Sequence, residues 1–249
     1  MLSLENITKR FDNTSAVDGL SLPIAEGETT VLIGPSGCGK STILRLVTGL
    51  IRADQGRVLF QGQPLERKDM ESFRRHIGYV IQDGGLFPHL TARDNVTIIA
   101  RYLDWLDSTM AERLVELAEL VKLNDEILDR YPAELSGGQR QRVSLMRSLM
   151  LDPEILLLDE PFTALDPLIR FELQADMKDI FRRLNKTVLF VTHDMNEAAW
   201  LGDSIVLMRD GRVVQKGGYR DLADRPVDEF VRRFLRAQRP PEAGNGGGP

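Results

Sequence analysis

Three short stretches of this sequence hold residue types that can do chemistry together. Gly34-Pro35-Ser36-Gly37-Cys38-Gly39-Lys40-Ser41, followed by Thr42, fits the pattern GxxxxGK[ST]. Glycines let backbone N–H groups curl around phosphate oxygens, a lysine neutralises the β/γ oxygens and a hydroxyl serves Mg²⁺, so the pattern predicts a nucleotide-phosphate site. Cys38 occupies one of its variable positions. The run Ile155-Leu-Leu-Leu-Asp159-Glu160 ends in two carboxylates. Asp159 suits Mg²⁺, directly or through its water, and Glu160 suits the proton of an attacking water. Alone, this run also reads as a solvated strand end; beside the phosphate pattern it reads as catalytic. The third stretch, Leu135-Ser136-Gly137-Gly138-Gln139, precedes a helix expected over 140–151. Ser136 suits a helix cap and the glycines free a second row of N–H donors, although one nucleotide rarely needs two such loops from one subunit.

These residues need rigid elements behind them. An apolar strand over 29–33 feeds the glycine loop, and helical spacing over 41–50 follows it. Strands are expected at 58–60, 77–81, 155–158 and 187–192, with a helix over 167–184 between the last two, an alternation that implies a parallel sheet. Short antiparallel strands open the chain, and a hairpin around Asp210-Gly211 precedes a last amphipathic helix. Between about 91 and 151 the apolar period is helical throughout, which predicts a helical insertion. The resulting division is one domain over 1–238 and a flexible glycine-rich tail over 239–249.

Composition sets the outer bounds. The 249 residues are 42% hydrophobic and 28% charged, with 32 Lys and Arg against 37 Asp and Glu. A core is therefore affordable, and the net charge of −5 argues against a generally basic nucleic-acid surface. One cysteine excludes an intrachain disulfide, and no basic-then-apolar leader opens the sequence, so the cytosol is the expected compartment. The longest apolar runs fall far short of the roughly 20 residues a spanning helix needs, so any membrane role is expected to be peripheral.

Together the motifs resemble the nucleotide-binding subunit of ATP-binding-cassette (ABC) transporters over about 2–219. The phosphate loop, Gln82, the signature at 135–139, Asp159-Glu160, the loop Ala164-Leu165-Asp166 and His193 arrive in the family's order. The resemblance implies an α/β P-loop NTPase of the ABC ATPase type, with a mainly parallel core sheet, an antiparallel β subdomain and the helical insertion. It implies a head-to-tail dimer, homo- or heteromeric, in which Ser136, Gly137, Gly138 and Gln139 of one subunit close over ATP held by the other. It further implies that Gln82 touches Mg²⁺ or the attacking water and senses the permease, that His193 binds the γ-phosphate, and that Asp166 couples the two sites. Phe11 matches the position that stacks on adenine, where the family usually has tyrosine. Stacking uses the ring face, and a core phenylalanine is the competing reading. His76 and His89 lack the spacing of a metal pair.

The segment from Tyr79 to Val96, with its Leu86-Phe87-Pro88-His89-Leu90-Thr91 run, looks like the importers of osmoprotectants such as glycine betaine, carnitine and choline. Importers of amino acids and inorganic ions carry similar runs, so an importer of another small solute stays open. A soluble ABC-type ATPase and a small-molecule P-loop kinase are the competing classes. The resemblance implies membrane permeases as direct partners at the cytoplasmic face of the membrane, with a substrate-binding protein reached only through them. Many osmoprotectant ATPases continue into paired CBS domains, and none is expected here.

Overall fold

The computed structural model describes residues 1–163 and 165–238. The tail expected over 239–249 and Ala164 of the Asp166 loop lie outside the described residues. Strands β1 (Leu2–Phe11) and β2 (Thr14–Ile24) form a hairpin, and β3 (Thr29–Ile33) leads into helix α1 (Lys40–Val47). Then come β4 (Gln55–Phe60), β5 (Gln63–Pro64), α2 (Met70–Arg75) and β6 (Ile77–Val80). Helices α3 (Ala92–Tyr102), α4 (Asp107–Leu120) and α5 (Gly137–Leu149) follow with no strand between them. The chain continues through β7 (Ile155–Asp159), α6 (Pro167–Leu184), β8 (Thr187–Thr192), α7 (Met195–Leu201), β9 (Ser204–Arg209), β10 (Arg212–Gly217), α8 (Tyr219–Asp224) and α9 (Glu229–Ala237).

The strands make two sheets. A six-stranded sheet runs β10-β9-β3-β8-β7-β6, parallel except for β10, and a four-stranded antiparallel sheet runs β2-β1-β4-β5. Every residue of β3, β7 and β8 is buried, as expected of strands covered on both faces. Alternation sorts them: Ile33, Leu158 and Phe190 face the helices from α3 to α9, whereas Leu32, Leu157 and Leu189 face α1 and the antiparallel sheet. The α/β architecture expected from the sequence is present, and its elements differ in extent. Strands β1 and β2 are long, 10 and 11 residues, and accommodate their length with shifts of register. Helix α1 stops at Val47, because Gly49 turns left-handed at φ +65°. Helix α5 starts three residues earlier than expected, so the signature glycines are its first turn rather than its approach.

Among the described residues, no helix is long and apolar enough to cross a membrane.

Candidate active site

The C-terminal ends of four neighbouring parallel strands carry the chemistry: the glycine loop after β3, His193 after β8, Asp159-Glu160 at the end of β7 and Gln82 after β6. Such strand ends are where open α/β sheets hold ligands. The loop after β3 is tightly built. Gly39 sits at φ +105°, and a Cβ there would lie 2.2 Å from the Ala16 carbonyl oxygen; one on Gly34 would lie 2.3 Å from that of Met208. Neither position admits a side chain, so β2 and β9 brace the loop directly. Lys40 is 5% exposed and donates through Nζ to the Gly34 and Pro35 carbonyls at 2.9 and 3.1 Å, which holds its ammonium within the loop. Ser36 and Gly37 stand exposed at the loop's turn, and Ser41 and Thr42 are half-buried at the helix start. Burial pushes the Cys38 thiol up despite the adjacent Lys40, so Cys38 fills its slot as a neutral group.

Ser41 Oγ donates to Asp159 Oδ1 at 3.0 Å, which joins the loop to the end of β7. Burial pushes the Asp159 carboxyl up, and the Ser41 hydrogen bond opposes that shift. Tyr79, one strand over in β6, is pushed up to about 12 by its burial and by the Asp159 charge. The next residue, Glu160, turns left-handed at φ +46° while its N–H still donates to Val191 at 2.9 Å. A non-glycine residue held there is strained, and the strain re-aims the carboxylate out of the strand's alternation. Glu160 Oε2 consequently accepts from Thr163 Oγ1 at 3.2 Å and lies 2.9 Å from His193 Nδ1. Gln82 is exposed at the β6 end, and Phe11 is 46% exposed at the end of β1 rather than in the core.

The signature is a helix start. Ser136 Oγ accepts from Gln139 N–H at 3.2 Å and Gln139 Oε1 accepts from Ser136 N–H at 2.9 Å, a reciprocal cap on α5. Gly138 is buried against α6, where a Cβ would come within 2.6 Å of Ile169 Cγ2. Asp166 caps α6 by accepting from Ile169 N–H at 3.1 Å.

Sequence reasoning missed the side chains that tie these parts together. On α5, Ser144 Oγ and Arg147 donate to the Gly84 carbonyl at 2.8 and 2.9 Å, and Arg147 also reaches Gly85, so the loop after Gln82 is clamped to the signature helix. Asn95 of α3 is fully buried; it accepts from Phe87 N–H at 2.7 Å and donates to the Phe87, Leu90 and Thr91 carbonyls. This clamp presents Phe87 at 43% exposure under the Arg147 guanidinium, while its neighbour Leu86 tucks against the core. Phe87, Ile99, Tyr102 and Leu103 line one side of a largely apolar groove of about 530 Å³. Only the Ser136/Gln139 pair had a local signal, the S-x-x-Q spacing of a capping box. His76 pairs with Glu154 at 2.8 Å, away from any metal cluster among the described residues.

The profile of the ABC transporter family matches residues 17–163, more than half of the chain. The chain belongs to the ABC transporter family. This ABC chain is 45% identical over 240 residues to the glycine betaine/carnitine/choline transport ATP-binding protein OpuCA of Bacillus subtilis, covering 96% of the chain and 63% of that relative. It is 42% identical to the glycine betaine uptake system ATP-binding protein YehX of Escherichia coli, covering 94% and 76%. The fold of the ABC chain also matches the dimeric post-hydrolysis structure of the ATP-binding cassette MJ0796 bound to ADP and Pi, with a TM-score of 0.78, 33% identity and coverage of 88% and 99%.

Proposed function

We propose that residues 1–238 form one nucleotide-binding domain that binds and hydrolyses ATP to drive import of an osmoprotectant or quaternary amine such as glycine betaine, carnitine or choline. The observation that carries the enzymatic part is the hydrogen bond from Ser41, at the start of α1, to Asp159 beside the pair Glu160–His193 on the adjacent ends of β7 and β8. The loop from Gly34 to Thr42 binds the phosphates through its backbone N–H groups, Pro35 having none to give, and through the Lys40 ammonium, and Phe11 stacks on adenine. Mg²⁺ would be held by Ser41, Asp159 and Gln82; these are hard oxygen donors with a single carboxylate among them, which suits an ion bound mainly to phosphate and water. When bound, it neutralises charge on the phosphates. Glu160 accepts the proton of the attacking water, and His193 both orients Glu160 and reaches the γ-phosphate.

The partner's Mg-ATP is read by Ser136, Gly137, Gly138 and Gln139 in a head-to-tail pair of subunits, identical or related, with Asp166 coupling the two sites. The dimeric cassette to which the fold is similar supports a pair of subunits. The apolar groove beside Phe87 receives a cytosolic helix of the permease at the inner face of the membrane. The substrate-binding protein acts only through the permease, and nucleic acid is no partner. Cargo rests on the names of the relatives, and import of an amino acid or another small solute is the second reading. The test is Glu160→Gln: ATP binding is retained, hydrolysis falls about 10²-fold or more, and a dimer accumulates on size-exclusion chromatography with ATP and Mg²⁺. Near wild-type hydrolysis removes Glu160 from this role.

A further inference from the structure

Behind the Glu160 turn lies a small cavity of about 50 Å³, lined by Asp83, Gly137, Arg140, Gln141, Glu160 and Leu165 among others. Gln141 of α5 is 5% exposed, and its Nε2 is a buried donor with no hydrogen-bond partner among the described residues. A buried amide N–H left without a partner is destabilising, a cost that a bound water removes. Across the cavity, Glu160 uses Oε2 for His193 and Thr163, while Oε1 takes part in no side-chain hydrogen bond among the described residues. The space exceeds the roughly 10–15 Å³ that one water needs, and the lining offers an amide donor, two carboxylates and a guanidinium.

We propose that this cavity is a water site and that Gln141 is a positioning residue, holding the water against Glu160 Oε1. The start of the signature helix is thereby tied, through one water, to the proton acceptor of its own subunit. Gln141 lies five residues beyond Ser136 on the same α5. A shift of that helix start on meeting the partner's nucleotide therefore moves the donor that orients the local Glu160. The inference rests on Glu160 being the proton acceptor, as proposed above.

Gln141→Met keeps the side chain's length and volume and removes the donor. In the full chain it is expected to lower kcat about tenfold, the scale at which residues orienting a reacting group act, with KM for ATP within about twofold and an unchanged melting temperature. Combined with Glu160→Gln it is expected to cause no further loss. A kcat within twofold of wild type, or losses that multiply in the double variant, overturns the proposal. A high-resolution crystal structure of the wild-type chain is expected to contain a solvent peak within about 3.2 Å of both Gln141 and Glu160; a cavity without that peak overturns it, whether or not the Met variant folds. If Glu160→Gln alone hydrolyses normally, the assignment of Glu160 fails, and the water site stands or falls on the density.

Discussion

Helices α1 and α5 both begin in glycine-flanked turns, yet their starts are built in opposite ways. The start of α1 is walled in by its own chain: Gly39 against Ala16, Gly34 against Met208, and Lys40 nearly enclosed. The start of α5 is open on one side: Ser136 stands exposed, capped by Gln139, while Gly138 packs against Ile169 of α6. Every helix start leaves its first N–H groups without partners inside the helix, and these are the groups that bind anions. On the proposed reading, one start forms a finished phosphate cradle and the other is half of one. The contrast would let a single chain carry two phosphate-reading surfaces without redundancy.

The sharpest way to break this contrast is to add a methyl group to each start. Gly39→Ala forces a Cβ onto a carbonyl oxygen at a left-handed φ, and is expected to destabilise the fold by roughly 2–4 kcal/mol and abolish ATP binding. Gly138→Ala brings its Cβ within 2.6 Å of the Ile169 Cγ2 methyl, so α6 must give way there, but its backbone is already helical and it gains helix propensity; its cost is expected to be about 1–2 kcal/mol, below that of Gly39→Ala. Thermal unfolding and nucleotide titration of both variants check this, and equal costs would dissolve the contrast.

Mixing subunits tests the half-site next. A Lys40→Ala subunit paired with a Ser136→Arg subunit puts both lesions into one composite site if α5 acts on the partner's ATP. About one occluded ATP per mixed dimer is then expected, measured with radiolabelled nucleotide after gel filtration. Occlusion no greater than in either mutant alone would mean that each chain reads its own nucleotide. The smallest effect concerns the groove. Phe87→Ala is expected to weaken assembly with the permease by about tenfold in a pull-down titration, while ATPase activity and melting of the isolated subunit stay near wild type, because Phe87 is 43% exposed. Unfolding of the isolated subunit would make Phe87 a core residue instead.

The finished start was the more legible of the two. The glycine loop lies between an apolar strand and a periodic helix, so local pattern alone locates it, and the strand ends bearing Asp159 and His193 follow from continuous apolar runs. The start of α5 is harder to locate because Gly137 and Gly138 are poor helix formers and pull the expected boundary to residue 140, although Ser136 and Gln139 already spell the cap. The hydrogen bonds from Ser144 and Arg147 to Gly84 span about 60 residues of sequence, and no periodicity encodes such a pairing. Asn95 inside an amphipathic helix reads as an ordinary polar position until the loop it clamps is folded over it.

The grip of α5 on the Gly84 carbonyl makes that helix a rigid arm with its two ends in different hands. From Arg147, beside the apolar groove, to Gly137 is ten residues, or about 15 Å at the helical rise. A tilt of about 5° imposed at the groove end swings the far end by roughly 1 Å, close to the whole range over which a hydrogen bond goes from good to lost. Rocking of this size is below what a change of fold or a melted segment would require. On the proposed assembly, a displacement at the groove reaches the signature end without any change of fold, and the stiffness of one thirteen-residue helix sets its size.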